Sequence, residues 1–151
     1  MSWPYSKADV NWFVSTPKRP KTKETNWGKS KQGKDCLQLD LSLETIEIYR
    51  PDSLRYCVRG KTDIPESYSS AFLLQNRRIR GIDFTSVPIR FMYGQRTKEI
   101  GWHENIIDYN IDPPGNDHHY SLEVTCSDLD AFHRFCCLHW NIQLREEKML
   151  L

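Results

Sequence analysis

The sequence predicts one α+β domain, an antiparallel β-meander sheet with a short N-terminal helix and a C-terminal helix packed on one face. Three observations carry this. Apolar residues alternate with polar ones from Cys36 onward, three-and-four spacing is confined to the two ends, and turn-forming residues separate the alternating stretches. A chain of 151 residues suits one domain with its own core, so residues 1–151 are read as a unit without internal repeats.

Ser6 can cap a helix over residues 7–13, with Val10, Phe13 and Val14 on one stripe, and Pro17 ends it. Residues 17–35 are rich in Lys, Pro, Gly and small polar residues and read as a basic, extended or mobile arm. Trp27 within it can pin the arm to the body or stack on a base. Leu37, Leu39, Leu41 and Leu43 alternate with Gln38, Asp40 and Ser42 as a half-buried strand. Ile46 and Ile48 then change parity, which places a bulge or turn near Glu44-Thr45. Residues 54–59 form a second strand, and Gly60 begins a loop that runs to Pro65. Residues 69–84 are one long strand or a hairpin turning at Asn76. A short strand over 88–93 precedes a turn at Gly94-Gln95. Residues 100–109 and 119–124 form a hairpin around turn chemistry at 110–117. Ser127-Asp128-Leu129-Asp130 resembles a capping box with Asp in place of Glu. The helix behind it runs to about Trp140, with Leu129, Phe132, Cys136 and Trp140 inward and Phe135 and His139 at the margin.

Composition narrows the class. The chain is 27% charged, 38% hydrophobic and 12% aromatic, too rich in large apolar groups for disorder. No apolar run reaches membrane-spanning length, and the opening MSWPYSKADVNW lacks a basic-then-apolar signal layout. A cytoplasmic protein without membrane contact is therefore expected. Five cysteines (Cys36, Cys57, Cys126, Cys136, Cys137) with no C-x-x-C pair read as free thiols, the vicinal pair as small buried hydrophobes. Net charge is +1, unevenly spread. Residues 17–34 carry seven Lys/Arg against Glu24 alone, residues 50–98 ten basic against four acidic, and residues 99–151 ten acidic against three basic. Such segregation makes either a positive face for nucleic acid or halves that cancel across a sheet.

The densest ionisable groups are His103-Glu104-Asn105 and Asp117-His118-His119. In a strand His103 and Asn105 share a face while Glu104 points away, and His118 and His119 cannot both face the same side. The candidate catalytic set is thus His103, Asp117, His118 and His119, with Asp117 or Asp108 as an orienting carboxylate. Paired imidazoles suit metal-independent RNA cleavage, where the 2′-hydroxyl attacks and a cation stabilises charge on phosphorus. Arg77, Arg78 and Arg80 are available for that role, and Lys18, Arg19, Lys21 and Lys23 for further nucleic-acid contact. The same histidines can equally be surface or half-buried groups, or ligate Zn or Ni; without H-E-x-x-H, no metal or cofactor is expected. The absence of P-loop, GxGxxG and GxSxG motifs excludes the common nucleotide, dinucleotide and serine-hydrolase chemistries.

Several features taken in order resemble small bacterial proteins of toxin–antitoxin loci and mobile elements, the TumE-like toxin family among them. They are a first helix ending in Pro17-Lys18-Arg19, the stretch Arg78-Ile79-Arg80-Gly81-Ile82-Asp83, the turn Gly115-Asn116-Asp117-His118-His119, and a last helix with Phe132, Phe135 and Cys136 before Asn141-Ile142. The family's turn is Gly-Asp-His-x-His. Here the second histidine is adjacent, so only Asp117 and His118 carry over. The resemblance implies a small bacterial or phage conflict-system protein that acts on RNA or on a macromolecular partner, and the first reading is a toxin-like RNase with RNA and an antitoxin as partners. The alternative is a non-enzymatic phage or plasmid inhibitor that binds a host nucleic-acid-processing complex through its charged surfaces. The C-terminal helix stripe can also close a homodimer.

Overall fold

A computed structural model describes residues 3–22, 27–29, 35–85, 101–111 and 115–144, with backbone alone at Thr85 and over 115–120. The elements run α1 (Lys7–Ser15), β1 (Lys18–Pro20), β2 (Gly28–Lys29), β3 (Cys36–Thr45), β4 (Leu54–Lys61), β5 (Ile64–Leu74), β6 (Arg77–Thr85), β7 (Gly101–Asp108), β8 (Gly115–Ser121) and α2 (Leu129–His139). The α+β meander expected from the sequence is what forms. Strands stand in the order β1-β3-β4-β5-β6-β7-β8, every pair antiparallel, with β2 also on β3. Among the described residues no helix is long and apolar enough to cross a membrane.

Local chemistry explains the element ends. At α1, Ser6 and Asp9 form a reciprocal capping box, each side chain accepting from the other's backbone N–H. The box with Asp in the Glu role thus belongs to α1. At α2 the cap is Asp128, whose carboxylate accepts from Ala131 N–H at 2.8 Å. Asn141 follows α2 at φ 56°. Bonds from Ile142 N to Cys137 O and from Asn141 N to Leu138 O close a Schellman ending. Residues 69–84 resolve into a hairpin, not one strand: Gln75 and Asn76 both take positive φ, as a two-residue turn with the strands' own twist requires.

One loop expectation is corrected. Gly60 lies inside β4, and the chain reverses at Thr62-Asp63, so no loop runs to Pro65. A Cβ on Gly60 would fall 2.6 Å from the Tyr68 ring and 3.1 Å from Leu129, so only glycine fits beneath the start of α2. The described parts of the basic stretch are extended, β1 and β2 occupying successive stretches of the β3 edge. Unpaired backbone groups along a ten-residue edge strand are the physical reason. Trp27 pins this segment, its ring edge-on to His133 at 5.7 Å. The strand expected over 88–93 and the turn at 94–95 lie outside the described residues.

Both helices pack on the face carrying Leu39, Leu41, Leu43, Leu54, Tyr56, Val58 and Phe72, and one core joins them. Trp140 meets Phe72 and Tyr56, and Phe132 meets Tyr68. Cys136 and Cys137 are buried there as expected, Cys136 Sγ 3.1 Å from Ser70 Oγ. Burial pushes the Cys136 thiol well above its ordinary range. Lys18 is buried in the same core at 0% exposure. Its ammonium donates to the carbonyls of Phe13, Val14 and Thr16 at 2.7–2.8 Å and sits over the Phe72 ring. It therefore caps the end of α1 and does not stand on a nucleic-acid-contacting surface. Burial pushes its pKa down to about 7.

Candidate functional site

Register decides what the hairpin histidines can do. His103 stands opposite Asp83 on β6 and Ser121 on β8, and Asn105 opposite Gly81 and His119. His118 stands opposite Ile106, and the β7–β8 register shift between Ile106 and Ile107 leaves Asp117 as the extra residue. By backbone position it is His119, not the family-matching His118, that falls on the rows of His103 and Asn105. Asp117 has no rung of its own. The side chains of Asp117, His118 and His119 lie outside the described residues.

His103 itself is 2% exposed, with Nδ1 3.0 Å from the Gly101 carbonyl of its own strand. Glu104 points to the opposite face as alternation requires, where Oε1 meets His139 Nε2 and Oε2 accepts from Trp140 Nε1, each at 2.9 Å. Burial would raise the Glu104 pKa, but these two bonds outweigh it and the carboxyl is lowered. The bond from Glu104 raises His139 in turn. Asp108 stands five residues along the strand and pairs with Lys7 at 3.2 Å, so it does not orient His103.

The three arginines of β6 do not converge, and a bulge is the reason. The β5–β6 register shifts between Phe72 and Leu73, which pair with Arg80 and Arg78 and leave Ile79 as the extra residue. A single inserted residue sends its flanking side chains to opposite faces. Arg80 is buried on the helix side, its Nη2 2.8 Å from Asn11 Oδ1. Arg78 faces the other way and pairs with Asp83 at 3.0 Å. Arg77 is exposed, lying 5.2 Å from the Tyr109 ring. In the arm, Arg19 and Lys21 are exposed, and Arg19 pairs with Glu44 at 2.9 Å; Lys23 lies outside the described residues.

Following the pairs across the sheet assembles a second site that the sequence did not reveal. Two rows cross the face opposite the helices: Gln38, Arg59, Ser69, Asp83, His103, and beside it Asp40, Cys57, Ala71, Gly81, Asn105. Among the described residues no helix covers this face. Asp83 is its hub, accepting from Ser69 Oγ at 2.6 Å, Asn105 Nδ2 at 2.7 Å and Arg78 Nη2 at 3.0 Å. Gly81 makes that possible: a Cβ there would lie 1.9 Å from the Arg78 guanidinium. Small side chains at Cys57, Ser69 and Ala71 leave a cleft of about 120 Å³ beside Gln38, Arg59 and Arg78. Burial pushes the Cys57 thiol up, Asp40 adds to this, and Arg55, Arg59 and Arg78 oppose it. The thiol is held in its neutral form, the unreactive one.

Charge on this face nearly cancels. Arg19 pairs with Glu44, Arg55 with Asp40 at 3.8 Å and Arg78 with Asp83. Arg59 has no acidic partner among the described residues, which leaves one uncompensated cation at the cleft. These three pairs all lie within residues 19–83, and none of them draws on the acidic stretch 99–151. Compared with known proteins, the chain matches no family model, no curated protein and no solved structure.

Proposed function

We propose that this protein is a non-enzymatic binding module that engages a protein partner through the helix-free face of its sheet, with Arg59 receiving an acidic side chain. The observation that carries the reading is the Arg59 cleft. It is a half-buried guanidinium in a polar depression, surrounded by charges already paired. An arginine of this kind binds a carboxylate in fork geometry. A polynucleotide asks for several phosphate contacts at once, and one spare cation supports that poorly. This reading develops the inhibitor alternative drawn from the sequence and locates its charged contact on the sheet face. The RNase reading keeps one observation on its side, the register position of His119 beside His103 and Asn105. Against it stand the burial of His103 and the divergence of the three arginines.

Site-specific photo-crosslinking in the native cells separates these readings. A photoreactive residue at Leu73, on the helix-free face, is expected to trap one stoichiometric protein, and the same residue at the exposed Leu138 on α2 is not. Equal trapping from both positions overturns the proposal. So does RNA cleavage in EDTA that is lost in His119→Ala.

A further inference from the structure

A cavity of about 170 Å³ lies on the helix side of the sheet, between the start of α1 and the β6–β7 pair. Trp3, Val10, Ile106 and Tyr109 give it an aromatic and aliphatic wall. The charges around it are answered. Lys7 pairs with Asp108 at 3.2 Å. Arg80 donates to the Ile79 carbonyl and to Asn11 Oδ1, and Glu104 flanks it electrostatically. What the fold leaves open on this wall is one donor and one acceptor. Trp3 Nε1 and Asp108 Oδ2 are both buried without a hydrogen-bond partner among the described residues. The other Asp108 oxygen accepts from the Asn110 backbone N–H at 2.8 Å. The Lys7 ammonium stands at ion-pair distance from Oδ2 but outside hydrogen-bond alignment, on a side chain 70% exposed. A buried polar atom without a partner is uncommon and calls for a specific explanation. Here two of opposite kind belong to residues that line one cavity.

We propose that this cavity binds a small uncharged aromatic carboxamide. One open donor and one open acceptor select a ligand that both accepts and donates. A carboxylate would answer Trp3 and set a second anion against Asp108. An ammonium would answer Asp108 and leave the indole N–H without an acceptor. A carboxamide offers its oxygen to Trp3 Nε1 and its N–H to Asp108 Oδ2. Its donor and acceptor sit on separate atoms, which suits protein groups from two segments, one before α1 and one at the end of β7. The aromatic and aliphatic wall selects a ring as the body of the ligand, in the usual manner of small-ligand sites. Size agrees, since a cavity of about 150 Å³ accommodates benzene. Lys7 is the movable part of the wall. A lysine held mostly in water gives up such an ion pair at little cost, so the ligand N–H takes the ammonium's place at Oδ2. The site is on the opposite side of the sheet from Arg59, so it stands or fails independently of partner binding there.

Titration of the full chain with benzamide, followed by heteronuclear NMR at the tryptophan indole N–H signals, tests the proposal. Trp3→Phe identifies the Trp3 signal by its loss. Benzamide is expected to shift that signal saturably at low-millimolar concentration or below. Benzoate and benzylamine carry the same ring with a charged group, and each should bind about tenfold more weakly, the scale of one hydrogen bond. Asp108→Asn keeps the shape of the side chain and the oxygen that Asn110 engages, and it exchanges the open acceptor for a donor. That variant should reverse the preference and bind benzoate more tightly than benzamide, with its remaining indole signals unmoved as the check on its fold. If it fails to fold, the wild-type preference among the three ligands still decides. Absence of a saturable shift with benzamide, equal binding of benzoate or benzylamine, or an unchanged preference in folded Asp108→Asn overturns the proposal.

Discussion

Under the two helices Lys18, Arg80 and Glu104 are buried or half-buried and engaged by the fold, whereas the opposite face carries paired charges around Arg59, which has no acidic partner among the described residues. Lys18 donates to three carbonyls at the end of α1. Glu104 joins β7 to His139 and Trp140 of α2, and Arg80 joins β6 to Asn11 of α1. These contacts hold both helices against the sheet. Across the sheet, Arg55 and Arg78 have carboxylates within 4 Å and Arg59 has none among the described residues. The difference teaches where each kind of chemistry resides: polar groups under the helices position elements, and on the opposite face Arg59 stands apart from the network that Asp83 holds together.

The largest effect that would sharpen this contrast is at Lys18. Lys18→Ala should lower stability by about 3 kcal/mol, because it leaves a void and three buried carbonyls without donors. Lys18→Met keeps the stem and should cost roughly half as much. Denaturant midpoints measure both. The wild-type pKa of about 7 lies below the ordinary 10.5. Between those values the unfolded chain therefore binds more protons than the folded one, and this site's contribution makes stability rise with pH. Lys18→Met should lack that rise. Equal stability of Lys18→Ala and wild type would break the comparison.

A smaller effect is expected at the α2 anchor. Glu104→Gln should cost about 1–2 kcal/mol through loss of the bonds to His139 and Trp140. The sign with pH follows from both shifts. The lowered Glu104 contributes above its ordinary carboxylate pKa and loses that contribution as pH falls through the folded value. The raised His139 contributes below its ordinary 6.5 and loses that contribution as pH rises through the folded value. The gap between wild type and variant should thus be widest in the mildly acidic window between the two ordinary values, and narrow on either side. Thermal unfolding across pH checks this, and a gap independent of pH contradicts it.

How much of this was legible in the sequence depends on the length scale of the signal. Alternation in Leu37–Leu43 and in residues 54–59, the helical stripe Leu129-Phe132-Cys136-Trp140, and the opposed directions of His103 and Glu104 are local, and each is realised in the structure. Two bulges were not legible. A single extra residue at Ile79 separates Arg78 from Arg80, and another at Asp117 exchanges His118 for His119 on the His103 rows. Nothing in a lone strand's pattern announces such an insertion, because it exists only relative to the neighbouring strand. The Arg59 cleft was hidden for the same reason. Arg59, Ser69 and Asp83 come from three different strands and meet only through register. The available hint was that Arg55, Cys57 and Arg59 occupy the outward parity of a strand whose other parity is wholly apolar up to Gly60.

The smallest effect on stability should come with the largest effect on binding. Arg59→Glu removes no contact that holds the fold, so its denaturant midpoint should stay within about 0.5 kcal/mol of wild type. The same reversal places a carboxylate against the partner's carboxylate. The most direct measurement is titration of the cross-linked partner, once purified, against wild type and Arg59→Glu side by side. The account expects saturable wild-type binding and a loss of at least about a hundredfold in the variant, as for a like-charge clash at an interface. Binding of Arg59→Glu at wild-type affinity would contradict it.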